Sequence, residues 1–332
     1  MKKSLIALAA LAAVTAASAQ STVTISGTFG AAYQANEVGA LAAVATTATA
    51  IGTAATTAAT SEGLVTTDAS IKFTATEDLG GGLKATAAAQ FATNELRGGG
   101  LTKEDTSIVL SGGFGSLTIA NSRSSDAAIL ANVFASWMPV TSFYATVSSR
   151  VDIDLISYTT PAILPGLTAT VTSAELTEGK TKSVTQSNGI AFNYTQGPLA
   201  AVVGFKTTNG LTTTQLTTTE KNNTELAVTY DLGVDKVGLG FDSASLKGTS
   251  SNAYGEKSLI SYGVNVPMGA FTVGYNGAKR GVNKFYDAGV SYDLSKRTSI
   301  KAMVGKLTNT SSSSTSASNA GTQYRVGVLH NF

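Results

Sequence analysis

In run after run between Thr22 and Phe332 the apolar residues of this chain recur at every second position. Val23, Ile25, Gly27, Phe29, Ala31 and Tyr33 alternate with Thr22, Thr24, Ser26, Thr28 and Gly30. The pattern returns in 83–91, where Leu83, Ala85, Ala87, Ala89 and Phe91 share a parity, in 199–206, in 258–266 and in the closing stretch QYRVGVLHNF, 323–332. Successive side chains of a strand point to opposite faces, so a period of two means strands with one apolar and one polar face. Beyond the first residues no apolar run reaches the length of a membrane-spanning helix,. A mean hydropathy of +0.14 nevertheless puts much apolar surface on the strands. Strands with lipid on one face and water on the other reconcile these facts, provided the sheet closes and leaves no unpaired edge.

The N-terminus fits export. Met1-Lys2-Lys3, the apolar run Leu5–Val14 and Ala17-Ser18-Ala19 form the basic, apolar and small-residue segments of a secretory signal peptide, 1–19, with the mature barrel expected over 20–332,. Losing Lys2 and Lys3 with it leaves 21 Lys and Arg against 21 Asp and Glu. That balance gives no electrostatic support for nucleic-acid binding. With no cysteine the chain has neither disulfides nor thiolate metal sites,. Nothing in the sequence points to a metal, a cofactor or a catalytic group. The sole histidine, His330, falls on the outward parity of the last strand, away from any partner for acid–base chemistry,.

The connections are of two kinds. Short turns such as 78–82, 112–115, 196–198, 267–269 and 294–297 separate long polar or low-complexity segments at 34–67, 93–103, 122–149, 175–186, 207–222, 246–256 and 309–320. Counting the runs between them predicts sixteen strands, the first over 22–33, the second over 68–77, the sixth over 150–159 and the last over 321–332. The expected fold is all-β: a sixteen-stranded antiparallel transmembrane β-barrel with short periplasmic turns and long external loops. Aromatic residues near strand ends, among them Phe91, Tyr158, Tyr194, Tyr230, Tyr262, Phe271, Tyr292 and Phe332, match girdles at the two membrane interfaces,.

Several segments carry a family resemblance. TEDLGGGLKA (76–85), LSGGFGSLTIAN (110–121), RVDIDLISYTTP (150–161), NYTQGPLAAVVGF (193–205), YDLSKRTS (292–299) and VGVLHNF (326–332), with the opening QSTVTISGTFGAAYQ (20–34), resemble the general-diffusion porins of Gram-negative outer membranes, in their betaproteobacterial branch. The resemblance implies a homotrimer in the outer membrane, in contact with lipid and lipopolysaccharide, that passes small hydrophilic solutes and ions passively. It also implies that the third long loop, 122–149, folds inward, and that Phe332 is read by the outer-membrane assembly machinery. In the family that loop is acidic and faces basic wall residues. Here it offers only Arg123 and Asp126 as charges beside Ile129, Leu130, Phe134, Trp137, Met138, Phe143 and Tyr144, and Ser157 stands where the family often has arginine. The usual transverse field is thereby diluted, which leaves room for an apolar-lined constriction.

Parity places Lys72, Lys84, Lys206, Lys236, Lys301 and Arg325 toward the lumen as cations, with Glu225, Asp242 and Asp287 as anions. Together with Arg123, Asp126 and Arg150 at the third loop, these are the candidate selectivity residues, and the cation excess predicts a mild anion preference. Asp152 and Asp154 beside Arg150 make a charged rim, read as solvated rather than as a divalent-cation site,. Two other roles fit the same sequence: a channel selective for organic acids or sugars, and a structural or adhesive barrel acting through its loops. The Ala/Thr-rich stretch 40–60 fits either an extended loop or further structure,.

Overall fold

The structure is a computed structural model. It describes residues 21–38, 59–92, 101–123, 131, 133–134, 152–175, 186–209, 222–245, 258–281, 283–308 and 321–332. The expected leader 1–19, Asp126 and Arg150 lie outside them.

Sixteen strands run β1 (Thr22–Val38), β2 (Ala59–Gly80), β3 (Leu83–Ala92), β4 (Thr102–Gly112), β5 (Gly115–Arg123), β6 (Asp152–Thr159), β7 (Leu167–Glu175) and β8 (Gln186–Gln196). They continue as β9 (Leu199–Asn209), β10 (Asn222–Asp231), β11 (Lys236–Ser245), β12 (Leu259–Met268), β13 (Phe271–Arg280), β14 (Asn283–Asp293), β15 (Thr298–Thr308) and β16 (Gly321–Asn331). Each pairs with its neighbours in sequence, and β1 pairs antiparallel with β16, so the barrel is closed. Closure leaves no edge strand to present bare N–H and C=O groups to hydrocarbon.

The seam is fastened at both ends. Val38 stands opposite Gly321 at one end of the ladder. At the other, Phe332 and Gly27 exchange both backbone hydrogen bonds at 3.0 Å. A Cβ on Gly27 would run into the Phe332 ring, so the glycine lets that ring lie flat against the wall.

Two strands outrun the sequence-based expectation. The first long connection was expected over 34–67, but β1 extends to Val38 and β2 begins at Ala59, with Tyr33 opposite Leu64 and Glu37 opposite Thr60. Alanine, threonine and glycine hide the alternation there, and a register shift between Gly30 and Ala31 resets its parity,. At the same end β13 and β14 meet in a tight hairpin at Gly281, whose φ of 59° suits glycine,. One connection at the long-loop end is therefore short.

The outer face is apolar. Val23, Ile25, Ile108, Ile119, Ile156, Leu239, Ile260, Val326 and Val328 all lie open on it. In water that surface would cost roughly 25 cal/mol per Å2; in lipid it is the surface that holds the barrel in place. Phe271 and Tyr292 pack at a centroid distance of 4.5 Å at the short-turn end, and Tyr158 donates its hydroxyl proton to the Phe114 carbonyl at 2.6 Å. These belong to one aromatic girdle.

Candidate functional site

The inner wall of β11–β13 is shaped to hold another segment against it. Gly238 on β11, Gly263 on β12 and Gly274 on β13 lie on the inner parity of neighbouring strands. Ala131, Val133 and Phe134 of the third loop lie in the trough these glycines leave. A Cβ on Gly263 would stand 2.8 Å from both the Ala131 oxygen and the Val133 nitrogen, and one on Gly238 would strike the Ala131 carbonyl. At Gly274 it would meet the Phe134 ring. Real Cβ atoms do not come this close, so only glycine lets the loop reach the wall.

Asn276, next on the same parity of β13, fixes the loop in place. Its Nδ2 donates to the Phe134 carbonyl at 3.0 Å, and the Phe134 amide donates to its Oδ1 at 3.2 Å. Nδ2 also donates to Asp287 Oδ1 at 3.0 Å, which orients the amide. Asn276 has no accessible surface, so both bonds form away from water, where leaving them unmade is costly,. Phe134 is 4 % exposed and packs with Ala32 and Met303, flanked by Val65 and Leu329. In its described residues the third loop is thus folded into the barrel, and its contact with the wall is apolar and amide-mediated rather than ionic.

The charged residues of the inner wall lie on several strands. Arg280 and Asp242 form an ion pair buried at 4 % and 0 % side-chain exposure. Lys206 and Glu225 approach to 3.7 Å, the lysine still 35 % exposed. Lys84 stands opposite Asp78 by the β2–β3 turn, and Lys236 opposite Asp231 at the same end of β11. Lys72 faces inward opposite Ser26 and Gln90. Arg325 donates from Nε to Gln34 Oε1 at 3.1 Å and also from its second terminal nitrogen, beside Met303 in the register. Lys301 lies farther down β15, and the field of Asp68 reaches both it and Arg325.

Arg123 ends β5. It stands opposite Asp152 in the β5–β6 ladder, at a position of the same parity as Asn121 and Ile119. Asp154, on that same parity, accepts a 2.7 Å bond from Asn121 Nδ2. Sequence reasoning missed Asn276, the three trough glycines, Arg280, and the inward carboxylates Asp68 and Glu104. A glycine repeated at one inner parity on three adjacent strands was the available signal. It shows only once the strands are set in register.

A family profile described as Gram-negative porin matches residues 7–312 of the chain. The chain belongs to the Gram-negative porins. No curated protein matches this porin. Among solved structures it is similar to the anion-selective porin from Comamonas acidovorans, at 22 % identity over 94 % of this chain and 100 % of that one, with a TM-score of 0.66. A mutant porin of Rhodopseudomonas blastica aligns over the same shares, at 13 % identity and a TM-score of 0.58. Family and fold together make the protein an outer-membrane channel for diffusion of small hydrophilic solutes. This family and this fold are those of channels, not of enzymes.

Proposed function

We propose that the porin passes small solutes with a mild preference for anions, as a homotrimer, through a lumen narrowed by the docked third loop. The observation that carries the preference is the inner wall next to the dock. On β15, β16, β1 and β2 it presents Lys301, Arg325 and Lys72, with Asp68 the carboxylate among them and Asp78 out at the turn against Lys84. Charges in a narrow, low-dielectric-walled passage act well beyond their strength on an open surface. Similarity to a structure described as an anion-selective porin points the same way. Reversal potentials across bilayers in a potassium chloride gradient test the reading: a modest excess of chloride permeability is expected, and cation selectivity would overturn it.

The trimer contact falls on the outer face of β1–β3, where Ala31, Ala35, Ala85, Ala87 and Ala89 leave room for close packing. Residues 1–19 are a leader removed on export, and Phe332 on the closing strand engages the assembly machinery. Lipopolysaccharide surrounds the external half of the barrel. N-terminal sequencing of protein taken from outer membranes should begin at Gln20, and any other start would correct the leader.

A further inference from the structure

The outer faces of β8 through β16 carry, His330 aside, only three charged residues among the described strands: Lys279, Lys284 and Lys306. They are not scattered. Lys279 and Lys284 stand directly opposite each other beside the Gly281 hairpin. Lys306 lies opposite Tyr286, two residues along from Lys284, and so is its diagonal neighbour. Directly opposed positions put Cβ atoms about 4.5–5.5 Å apart, and like charges so placed repel. All three lysines are exposed, and none has an ion pair among the described residues. A cationic triad with no acid on its own face is a local cost that an anion from outside would offset.

Immediately below lies an aromatic floor. Tyr262, Tyr275 and Tyr286 run nearly parallel, with centroids 6.0 and 6.2 Å apart and interplanar angles of 27° and 20°. Gly277 makes this arrangement fit: a Cβ there would lie 2.6 Å from two atoms of Tyr262, whose ring crosses it. Flat aromatic faces take up sugar rings, and amphipathic tyrosines mark headgroup depth. Farther down come Val264, Val273, Val304 and Ile300, the band that meets acyl chains. Ammonium groups, aromatic faces and hydrocarbon surface thus follow one another down the wall, in the order of phosphate, sugar and acyl chain in a phosphorylated glycolipid.

We propose that Lys279, Lys284 and Lys306, over the Tyr262–Tyr275–Tyr286 floor, form a binding site for the phosphorylated sugar headgroup of an outer-leaflet glycolipid. This deepens the lipopolysaccharide contact named above and rests on it. The site is built for a phosphate ester on a sugar rather than for a carboxylate of a second copy. The tyrosine floor has no use for a carboxylate, and the small-residue face suited to protein contact lies on β1–β3.

The test uses the full-length folded trimer in detergent, with native mass spectrometry reading bound bisphosphorylated lipid A, fully dephosphorylated lipid A and phosphatidylglycerol. Wild type is expected to retain the bisphosphorylated form best. The triple variant Lys279→Gln, Lys284→Gln, Lys306→Gln should lose about tenfold or more in that binding. The triple Lys→Arg variant should keep it, and Lys103→Gln on β4 should leave it unchanged. Heat-modifiable migration and unaltered conductance show that the variants fold and that the channel reading stands apart. Equal binding of dephosphorylated lipid A, or of phosphatidylglycerol, would overturn the site. So would a Gln triple variant that binds lipid normally but falls apart into monomers, which would assign the lysines to a neighbouring copy.

Discussion

A single amide ties the described part of the third loop to the wall. Asn276 satisfies both the N–H and the C=O of Phe134 in a place closed to water. Asn276→Ala removes both partners and should destabilise the docked loop by about 1–3 kcal/mol. Raised open-channel current noise and faster amide exchange at 131–134 are the expected signs, and a quiet channel with protected amides would contradict the role. The buried pair Arg280–Asp242 allows a sharper stability test. Arg280→Met alone strands a buried carboxylate and should cost about 3–5 kcal/mol, while the double change with Asp242→Leu should recover most of it. Thermal unfolding of the three variants in detergent separates them; equal loss in single and double variants would show that the charge pairing is not what matters there.

Among the elements, β2, β15 and β16 carry the cations to which the proposed ion preference is assigned, and β11–β13 receive the third loop. Lys72→Gln, Lys301→Gln and Arg325→Gln are each expected to move the reversal potential toward cations, whereas Lys84→Gln, beside Asp78 at the turn, should move it less,. A larger effect at Lys84 would relocate the selectivity region to the periplasmic mouth. The strands themselves were legible because lipid and water impose a period of two along the barrel wall. Where that contrast fades, so does legibility: the Ala/Thr-rich ends of β1 and β2 read as loop because small residues serve either face, and the shift near Gly30 breaks the count. Parity marks a face of a strand but not which side chains pair across strands. Asp68 and Glu104 sit beside register shifts, and the pairing of Arg280 with Asp242 spans two strand-to-strand steps. Asn276 was invisible for a related reason. Its role depends on which glycines stand beside it, and registers between strands are not written along the chain.

For the whole molecule, closure of the barrel depends on the last strand. Phe332 reaches back to pair with Gly27 and lies across it on the outer wall, with His330 stacked at 6.5 Å. Deleting Phe332 should sharply lower the amount of assembled trimer in outer membranes while leaving the conductance of the remainder unchanged; normal trimer yield would remove its assembly role. The central claim, that this wall is shaped to hold the third loop inside and so defines the pore, is tested most directly by single-channel recording. Wild type is to be compared with a variant whose third loop is shortened across 127–145, with heat-modifiable migration as proof of an intact barrel. A severalfold larger conductance with a weaker ion preference is the predicted result. An intact shortened barrel that conducts and discriminates as wild type does would contradict it.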